Sequence, residues 1–310
     1  MATEQLTAPR PAIRLRAERR RWGEDLIKLA LALCSLVSVL TTVGIVIALL
    51  GPSIEFFREI GVWAYLSGRE WTPLFEPARF GVQPLVVGTL SVTFWACLVS
   101  MPFGLGAAIF LSEYAGRRLR SVLKPALELL AGIPTVVFGF FALTFFTPLL
   151  RDLGLQVEIY NALSAGIVMG VMLIPTVASI SEDAMSAVPQ SLRDGAYGLG
   201  GTKLQVSTRI VVPAAISGII ASYVLAISRA VGETMIVLLA AGQQPNLTFD
   251  PMRAVETMTA FIAATGQGDT PTGSIEYKTI FAVGFTLFLA TFLMNIISIR
   301  LVRKYREVYE

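Results

Sequence analysis

Six long apolar runs restrict the fold of this chain more than any other feature. They predict membrane-spanning helices at 29–50, 85–111, 125–150, 161–180, 213–240 and 279–302. Each run is long enough to cross a hydrocarbon core of about 30 Å at a rise of about 1.5 Å per residue. Only 15% of the 310 residues are charged, against about 25% in a typical soluble domain. The sequence therefore predicts an all-α, polytopic membrane protein with six transmembrane helices.

These spans divide the chain into a tail, an outer segment and a core. Residues 1–28 form a basic tail, expected to be partly an amphipathic helix on the membrane surface, and 29–50 form an uncleaved first span. The outer segment 51–84 contains aromatic residues that favour interfacial anchoring over a ligand site, among them Phe56, Phe57, Trp63, Tyr65, Trp71 and Phe75. The core covers 85–302, with a cytoplasmic loop at 181–212, and 303–310 form the C-terminus. The outer loop 241–278 is expected to be irregular or to hold a short helix, and it could meet an external partner together with 51–84 and 151–160.

The basic residues are sorted between the two sides of this six-span arrangement. One side carries eighteen: Arg10, Arg14, Arg16, Arg19, Arg20, Arg21, Lys28, Arg117, Arg118, Arg120, Lys124, Arg193, Lys203, Arg209, Arg300, Arg303, Lys304 and Arg306. The other side carries six: Arg58, Arg69, Arg79, Arg151, Arg253 and Lys278. By the positive-inside rule, both termini are predicted to be cytoplasmic. The arginines of the tail are expected to meet anionic lipid rather than nucleic acid.

Several kinds of chemistry are excluded or disfavoured by what the sequence lacks. It contains no histidine, and Cys34 and Cys97 both lie in apolar runs, where small packing residues are expected. No metal-ligand spacing and no glycine-rich phosphate-binding motif occurs, so this chain is not expected to bind ATP. A membrane-embedded enzyme or sensor is disfavoured for the same reasons. An ion-driven secondary transporter is disfavoured because no inverted repeat is visible.

One spaced motif lies in the loop between the fourth and fifth runs. It consists of Asp194, Gly195, Ala196, Gly200, Ile210 and Pro213. Gly200 and Gly201 permit a sharp turn between two short helices, and Pro213 suits the first turn of the next membrane helix. The spacing resembles the coupling (EAA) loop of ABC importer membrane subunits, with Asp for Glu and Gly for the first Ala. The resemblance implies a type I ABC importer permease fold and a loop that docks on a separate ATPase subunit.

Two charged residues, Arg229 and Glu233, lie inside the fifth apolar run. Their i, i+4 spacing predicts a shared helix face. Because an arginine near the bilayer centre costs about 2.5–3.5 kcal/mol even on insertion scales, it is expected to face a cavity or a partner. Its planar fork matches phosphate or carboxylate oxygens. We favour a transient anion step in a translocation path over a structural ion pair, and the two roles are compatible. Ser228 and Thr234 flank the pair as hydrogen-bond donors, or bond back to the i−4 carbonyl.

Further stretches are similar to the phosphate-specific branch of these permeases, the PstC-type subunits. They are Trp71-Thr72-Pro73, Phe110–Tyr114, 130–139, 188–196 and 228–234. The resemblance implies a second, PstA-type permease, two copies of a PstB-type ATPase that carries ATP and Mg²⁺, and an external PstS-type phosphate-binding protein. It also implies a bacterial or archaeal plasma membrane, no cofactor on this chain, and roles for Arg229 and Glu233 in phosphate passage. Arg229 suits any anion, so a permease for sulfate or molybdate is the alternative.

Three other residues in or near the apolar runs are expected to have structural roles. Gly132 and Pro134 lie within the third run, where a proline frees a carbonyl and kinks a helix. A gating kink and a simple packing kink are both compatible with the sequence. Glu113, near the cytoplasmic end of the second run, is expected to be interfacial and structural.

Overall fold

The computed structural model describes residues 22–304. Most of the predicted basic tail (1–21) and most of the predicted C-terminal segment (305–310) lie outside the described residues. The chain divides into two units, Met1–Ala48 and Leu49–Glu310. In the first unit, the described residues are helical, and all of 24–48 except the half-buried Val46 are exposed. All packing and all sites below belong to the second unit.

The described chain is almost wholly helical. The helices are α1 Trp22–Ile60, α2 Val62–Ser67, α3 Gln83–Ile109, α4 Arg117–Ala131, α5 Thr135–Phe141, α6 Thr147–Asp152, α7 Ala162–Ser186, α8 Gln190–Gly198, α9 Lys203–Val206, α10 Val212–Ala214, α11 Ile216–Gly232, α12 Met258–Gly266 and α13 Ile275–Lys304. π-Helical turns occupy Phe110–Tyr114, Ala142–Phe146, Ser207–Val211 and Val237–Ala241. Two short antiparallel strands, β1 Trp71–Thr72 and β2 Arg79–Phe80, pair Trp71 with Phe80 and Thr72 with Arg79.

The predicted membrane helices are recovered, with one of them broken. Among residues 22–304, five helical segments are long and apolar enough to span a bilayer: Glu24–Ile60, Gln83–Tyr114, Thr135–Asp152, Ala162–Ser186 and Ile275–Arg300. A sixth span results if Lys203–Ala214 and Ile216–Gly232, which are bent by 72°, count as one. The first helix is much longer than predicted, since α1 includes residues 22–28 of the expected tail and extends to Ile60.

The predicted start of the third span, at 125, is wrong. Pro125 lies inside α4, a helix with no buried residue and with basic and apolar positions on different faces. The chain breaks at Gly132, Ile133 and Pro134, and the apolar span starts at Thr135. The apolar residues of α4 extended the hydropathic run backwards, although their helical spacing beside four cations is typical of a surface helix.

The predicted fifth span, 213–240, is also not continuous. Pro213 lies in the three-residue helix α10, and the long helix starts only at Ile216, after the bend. A proline cannot donate to the carbonyl four residues earlier, and the chain changes direction directly after it. A second interruption falls at Glu233 and Thr234, which are not helical.

Small residues allow α3 and α7 to pack closely. A Cβ atom on Gly166 would lie 2.5 Å from the Cβ of Trp95, and one on Gly170 would lie 2.7 Å from the Cβ of Val99. Both distances are shorter than any real contact, so only glycine fits at these two positions. Close approach through small residues is typical of helix pairs in membranes, where apolar burial alone does not drive association.

Aromatic residues of the predicted outer segment form a packed cluster. Phe56, Tyr65 and Trp71 are buried together with Phe261 of α12 and Val283 of α13. The rings of Trp71 and Phe261 meet edge to face, with centroids 5.0 Å apart. The expectation of interfacial anchoring is therefore wrong for these three residues, because their rings are covered by protein. Trp63 and Phe75 are exposed, as an anchor would be.

Candidate functional site

Arg229 lies near the end of α11 with its side chain exposed. Its Nη1 donates to the Oγ1 of Thr176 on α7 at 3.3 Å. Among residues 22–304, Arg229 forms no ion pair, either with Glu233 or with any other carboxylate. The guanidinium therefore keeps most of its five N–H donors for another acceptor.

Glu233 does not share a helix face with Arg229, so the predicted i, i+4 pair is wrong. α11 ends at Gly232, and Glu233 has an extended backbone with φ −68° and ψ 134°. Its carboxylate accepts hydrogen bonds from the backbone N–H groups of Met235 at 3.0 Å and Ile236 at 3.4 Å. Glu233 thus satisfies the free N–H groups of the next helical turn, which lack carbonyl partners of their own.

The two flanking hydroxyls behave differently from each other. Ser228 Oγ is buried and has no hydrogen-bond partner in the described structure, although most buried hydroxyls have one. Thr234 Oγ1 donates weakly to the carbonyl of Gly232 at 3.4 Å. Neither bonds back to the i−4 carbonyl. The interruption itself is held by Thr259 of α12, whose Oγ1 donates to the carbonyl oxygen of Glu233 at 2.6 Å.

Gly132 and Pro134 mark a break between two helices rather than a kink within one. Gly132 ends α4 and Pro134 precedes α5. α4 is thereby separated from the membrane-spanning segment that starts at Thr135. Whether this break moves during function stays a prediction.

The predicted turn between two short helices in the 181–212 loop is confirmed. α8 contains Asp194, Gly195 and Ala196, and α9 follows after Gly200 and Gly201. Gly200 has φ +84°, in the left-handed region that favours glycine. A Cβ on Gly201 would lie 2.9 Å from the carbonyl oxygen of Ala196, so this position needs glycine for the turn to pack against the end of α8.

The tip of this loop is open and apolar. A Cβ on Gly195 or on Gly200 would meet no heavy atom within 4 Å. The side chain of Leu199 is 92% exposed, and Leu204 is also exposed. Asp194 accepts a hydrogen bond from Gln190 Nε2 at 3.1 Å on the exposed side of α8. Of the other motif residues, Ile210 is half-buried and Pro213 is exposed.

The base of the loop is fastened to the end of the second span. Arg193 is buried, and its Nη2 lies 3.1 Å from Glu113 Oε1. Arg193 Nη2 also donates to the carbonyl of Met185 at 2.8 Å. Lys203 Nζ lies 5.1 Å from the centroid of the Tyr114 ring, within range of a cation–π contact. Glu113 is structural, as expected, whereas its pairing with Arg193 was not visible in the sequence.

A second group of charges joins α4 to α7. Glu182 is 0% exposed and is held by Arg120 Nη2 and by Lys124 Nζ, the latter at 2.8 Å. Lys124 Nζ also lies 2.7 Å from Asp183 Oδ1. Hydrogen bonds to Asp183 and Glu182 raise the pKa of Lys124 above its ordinary value, so the amine is charged at every physiological pH. In the sequence, Arg120 and Lys124 were used only to predict orientation. Their spacing of four residues places them on one helix face and could have indicated a common acidic partner.

Residues 100–307 match the family described as binding-protein-dependent transport system inner membrane component. This match covers the break at Gly132, the short helices α8 and α9, and Arg229. The chain belongs to this family. It is therefore a multi-pass inner membrane permease subunit of an ABC importer.

Similar permeases cover nearly the whole chain. A probable ABC transporter permease protein, YqgH, of Bacillus subtilis is 34% identical over 94% of each chain. The phosphate transport system permease protein PstC of Haemophilus influenzae is 30% identical over 92% of this chain and 95% of its own. The phosphate transport system permease protein PstC 2 of Mycobacterium tuberculosis is 31% identical over 95% of this permease and 96% of its own length.

Solved structures share the fold of the permease at low identity. A bacterial alginate ABC transporter in complex with a periplasmic protein aligns with a TM-score of 0.62 at 15% identity, covering 92% of this chain and 98% of that chain. The inward-facing MetNI methionine ABC transporter aligns with a TM-score of 0.55 at 16% identity, covering 73% and 95%. The all-α, type I ABC importer permease fold is thereby confirmed.

Proposed function

We propose that this permease carries inorganic phosphate inward across the plasma membrane as one membrane subunit of an ATP-driven importer. The observation that carries the proposal is Arg229, an exposed guanidinium beside an interruption in the fifth span that has no carboxylate partner in the described structure. A cation within a membrane-spanning segment costs free energy, and such residues are usually retained because they serve a function such as a substrate path. The PstC relatives, which are named for phosphate transport, support phosphate over other oxyanions.

The four residues around the interruption receive distinct roles in this proposal. Arg229 binds phosphate briefly, and the unpartnered hydroxyl of Ser228 adds a hydrogen bond as the helices move. Glu233 keeps the interruption open by capping the next turn, and Thr234 lies in the interruption itself. Because the Glu233 carboxylate is engaged with backbone N–H groups and forms no ion pair with Arg229 in the described structure, it leaves the guanidinium available to an anion. Weak binding is required here, because a tight site would delay release.

The other subunits supply energy and selectivity. A homologous second permease of the PstA type completes the pathway, and two copies of a PstB-type ATPase bind ATP and Mg²⁺. An external PstS-type protein delivers phosphate. The open tip of the loop at Gly195 and Leu199 supports ATPase docking, because no residue of 22–304 fills the space around it. With this loop in the cytoplasm, both termini are cytoplasmic. Closure of the ATPase dimer would pull on the loop and switch the side to which Arg229 is open.

The test is uptake of labelled phosphate at low external concentration, in cells that lack their own high-affinity system and express the permease with its partner subunits. We expect Arg229→Gln to reduce uptake by about tenfold or more, because a hydrogen bond to a charged group is worth about 1.5–3 kcal/mol. The matched control is Arg253→Gln, the same change at an exposed arginine whose carboxylate partner is Asp250. The control is expected to retain uptake at equal membrane levels.

Three outcomes separate the possibilities. Loss only in Arg229→Gln supports phosphate import and a pathway role for the arginine. Equal uptake by both variants would leave an importer in which Arg229 is structural. If the assembled wild-type complex takes up no labelled phosphate but takes up labelled sulfate or molybdate, the permease serves that other oxyanion.

A further inference from the structure

A cavity lies among the predicted outer segments, and Arg229 is not among its lining residues. Its volume is ≈ 450 Å³, and it is lined by residues of the 71–75 stretch, of the 243–256 loop, and of α12 with the residues that follow it. Part of its wall is the aromatic cluster described above, including Trp71 and Phe261. The cavity therefore has a rigid, packed side, and the exposed ring of Phe75 lies at its rim.

Two polar groups that line this cavity have no partner in the described chain. Glu256 is 6% exposed, and its carboxylate forms no hydrogen bond or ion pair with residues 22–304. Trp71 is 1% exposed, and its Nε1 is among the buried atoms without a hydrogen-bond partner. A buried carboxylate and a buried N–H each cost free energy when unpaired. A cation in the cavity would pair with Glu256. The Nε1–H of Trp71 is a donor, so it would need an acceptor such as a carbonyl oxygen carried by the same ligand, and not the cationic group itself.

The lining defines the charge of that ligand. Among the described residues that line the cavity, Glu256 and Asp269 are the titratable groups, and no lysine or arginine is present. Three aromatic rings, those of Trp71, Phe75 and Phe261, share the same wall. Aromatic faces and carboxylates together attract ammonium and guanidinium groups. The same lining repels phosphate, so this cavity is not a step in the proposed phosphate path.

We propose that this cavity binds an organic cation, a guanidinium or alkylammonium group, between Glu256, Asp269 and the aromatic wall. The cation has two possible sources: a free small molecule outside the cell, or a basic side chain of the external binding protein as it docks. The second source rests on the proposed function, since it requires such a protein to deliver substrate.

The protonation of Glu256 gives this proposal a pH signature. Burial raises the pKa of Glu256 to about 7, so the acid is about half protonated at neutral pH. A cation binds the ionised form of Glu256. Cation binding is therefore expected to strengthen as the pH rises from 6 to 8. In a Glu256→Gln variant this dependence should disappear, because the carboxyl group whose pKa lies in that range is absent.

The experiment is calorimetric titration of the intact complex, permease with its partner subunits in nanodiscs. The probes are N-acetylarginine amide and N-acetyllysine amide, with N-acetylglutamine amide and inorganic phosphate as uncharged and anionic controls. We expect Glu256→Gln to weaken binding of the cations at least about tenfold. Asp269→Asn, at an exposed position, should weaken it less. Thr270→Ala, an uncharged change in the same lining, should leave it unaltered.

A second measurement identifies the source of the cation. The affinity of the external binding protein for the complex is compared between wild type and the same three variants. A fall in that affinity in Glu256→Gln and Asp269→Asn assigns the site to a basic side chain of the binding protein. Unchanged affinity together with binding of the amides assigns it to a free cation. Absence of both effects overturns the proposal. Phosphate uptake by the same preparations is scored separately, so failure of phosphate import cannot be mistaken for failure of this site.

Discussion

Glu182 shows how a single buried acid can fasten one helix to the end of another. It is fully buried, with Arg120 and Lys124 of α4 as its two cationic partners. A buried carboxylate is tolerated when it is paired and hydrogen-bonded, and removing its partners is much more costly than removing the pair. The three residues therefore fasten α4, which has no buried residue of its own, to the end of α7.

The double variant Arg120→Met/Lys124→Met should test this arrangement. It leaves Glu182 buried without a cation, and we expect the free energy of unfolding to fall by about 3–5 kcal/mol. Each single variant should cost less, because one cation remains. Thermal unfolding of the purified permease in detergent measures the effect.

The control for this prediction lies on the same helix. Arg117→Met/Arg118→Met removes the same charge from exposed positions that form no ion pair in the described structure. Its effect should stay within about 0.5 kcal/mol. Adding Glu182→Gln to the first double variant should restore much of the lost stability. If both double variants unfold alike, Glu182 does not need its partners.

At the residue scale, the sequence identified charged residues of interest but not the residues with which they pair. Arg229 and Glu233 were identifiable because charge inside an apolar run is rare. Their assumed pairing required a continuous helix, and the interruption at Glu233 removes it. Glu256 gave no signal, since an acid in a loop is ordinary until packing buries it. Burial depends on contacts across the whole fold, which local pattern does not encode.

Breaks between helices recur at the element scale and account for most errors in the predicted spans. α4 and α5 are separated at Gly132–Pro134, α10 and α11 at the 72° bend, and α11 and the next turn at Glu233. Hydropathy averages over such breaks, because apolar residues continue through them. For spans without a break, such as α7 and α13, at least one predicted end lies within a few residues of the observed end. Two of the breaks had a local signal in the sequence, namely the prolines at 134 and 213.

The loop of α8 and α9 offers a prediction at the same scale. Gly195→Trp should leave the stability of the permease unchanged, because its Cβ points into open space. It should nevertheless abolish co-purification of the ATPase, or uncouple ATP hydrolysis from uptake. Gly195 is a better probe than Gly200, whose φ of +84° adds backbone strain to any substitution.

Gly266→Trp supplies the matched control for the loop. Gly266 also has open space around its Cβ but belongs to α12, outside the loop. ATPase co-purification with Gly266→Trp should equal that of the wild type. Normal, coupled uptake by Gly195→Trp would show that the tip of the loop does not approach the ATPase closely.

At the scale of the whole molecule, the broken fifth span decides the topology. Five continuous candidate spans, counted alone, would place the two ends of the chain on opposite sides of the membrane. If Lys203–Ala214 and α11 together cross as a sixth, both ends are on the same side. The distribution of Lys and Arg predicts the second arrangement, with both ends in the cytoplasm.

Labelling of single cysteines distinguishes the two arrangements. In a Cys34→Ser/Cys97→Ser background, Thr272→Cys lies at an exposed position in the loop before α13, and Gly195→Cys lies in α8. A membrane-impermeant maleimide should label position 272 in intact cells, and position 195 only after permeabilisation. A third cysteine, at Glu310, should behave like position 195.

The cysteine at Glu310 reports whether α11 completes a crossing. If Glu310→Cys is labelled in intact cells while Gly195→Cys is not, α11 does not complete a crossing, and the interruption beside Arg229 would belong to a re-entrant segment. Labelling at 272 alone, with protection of positions 195 and 310, is the pattern that the positive-inside charge distribution requires.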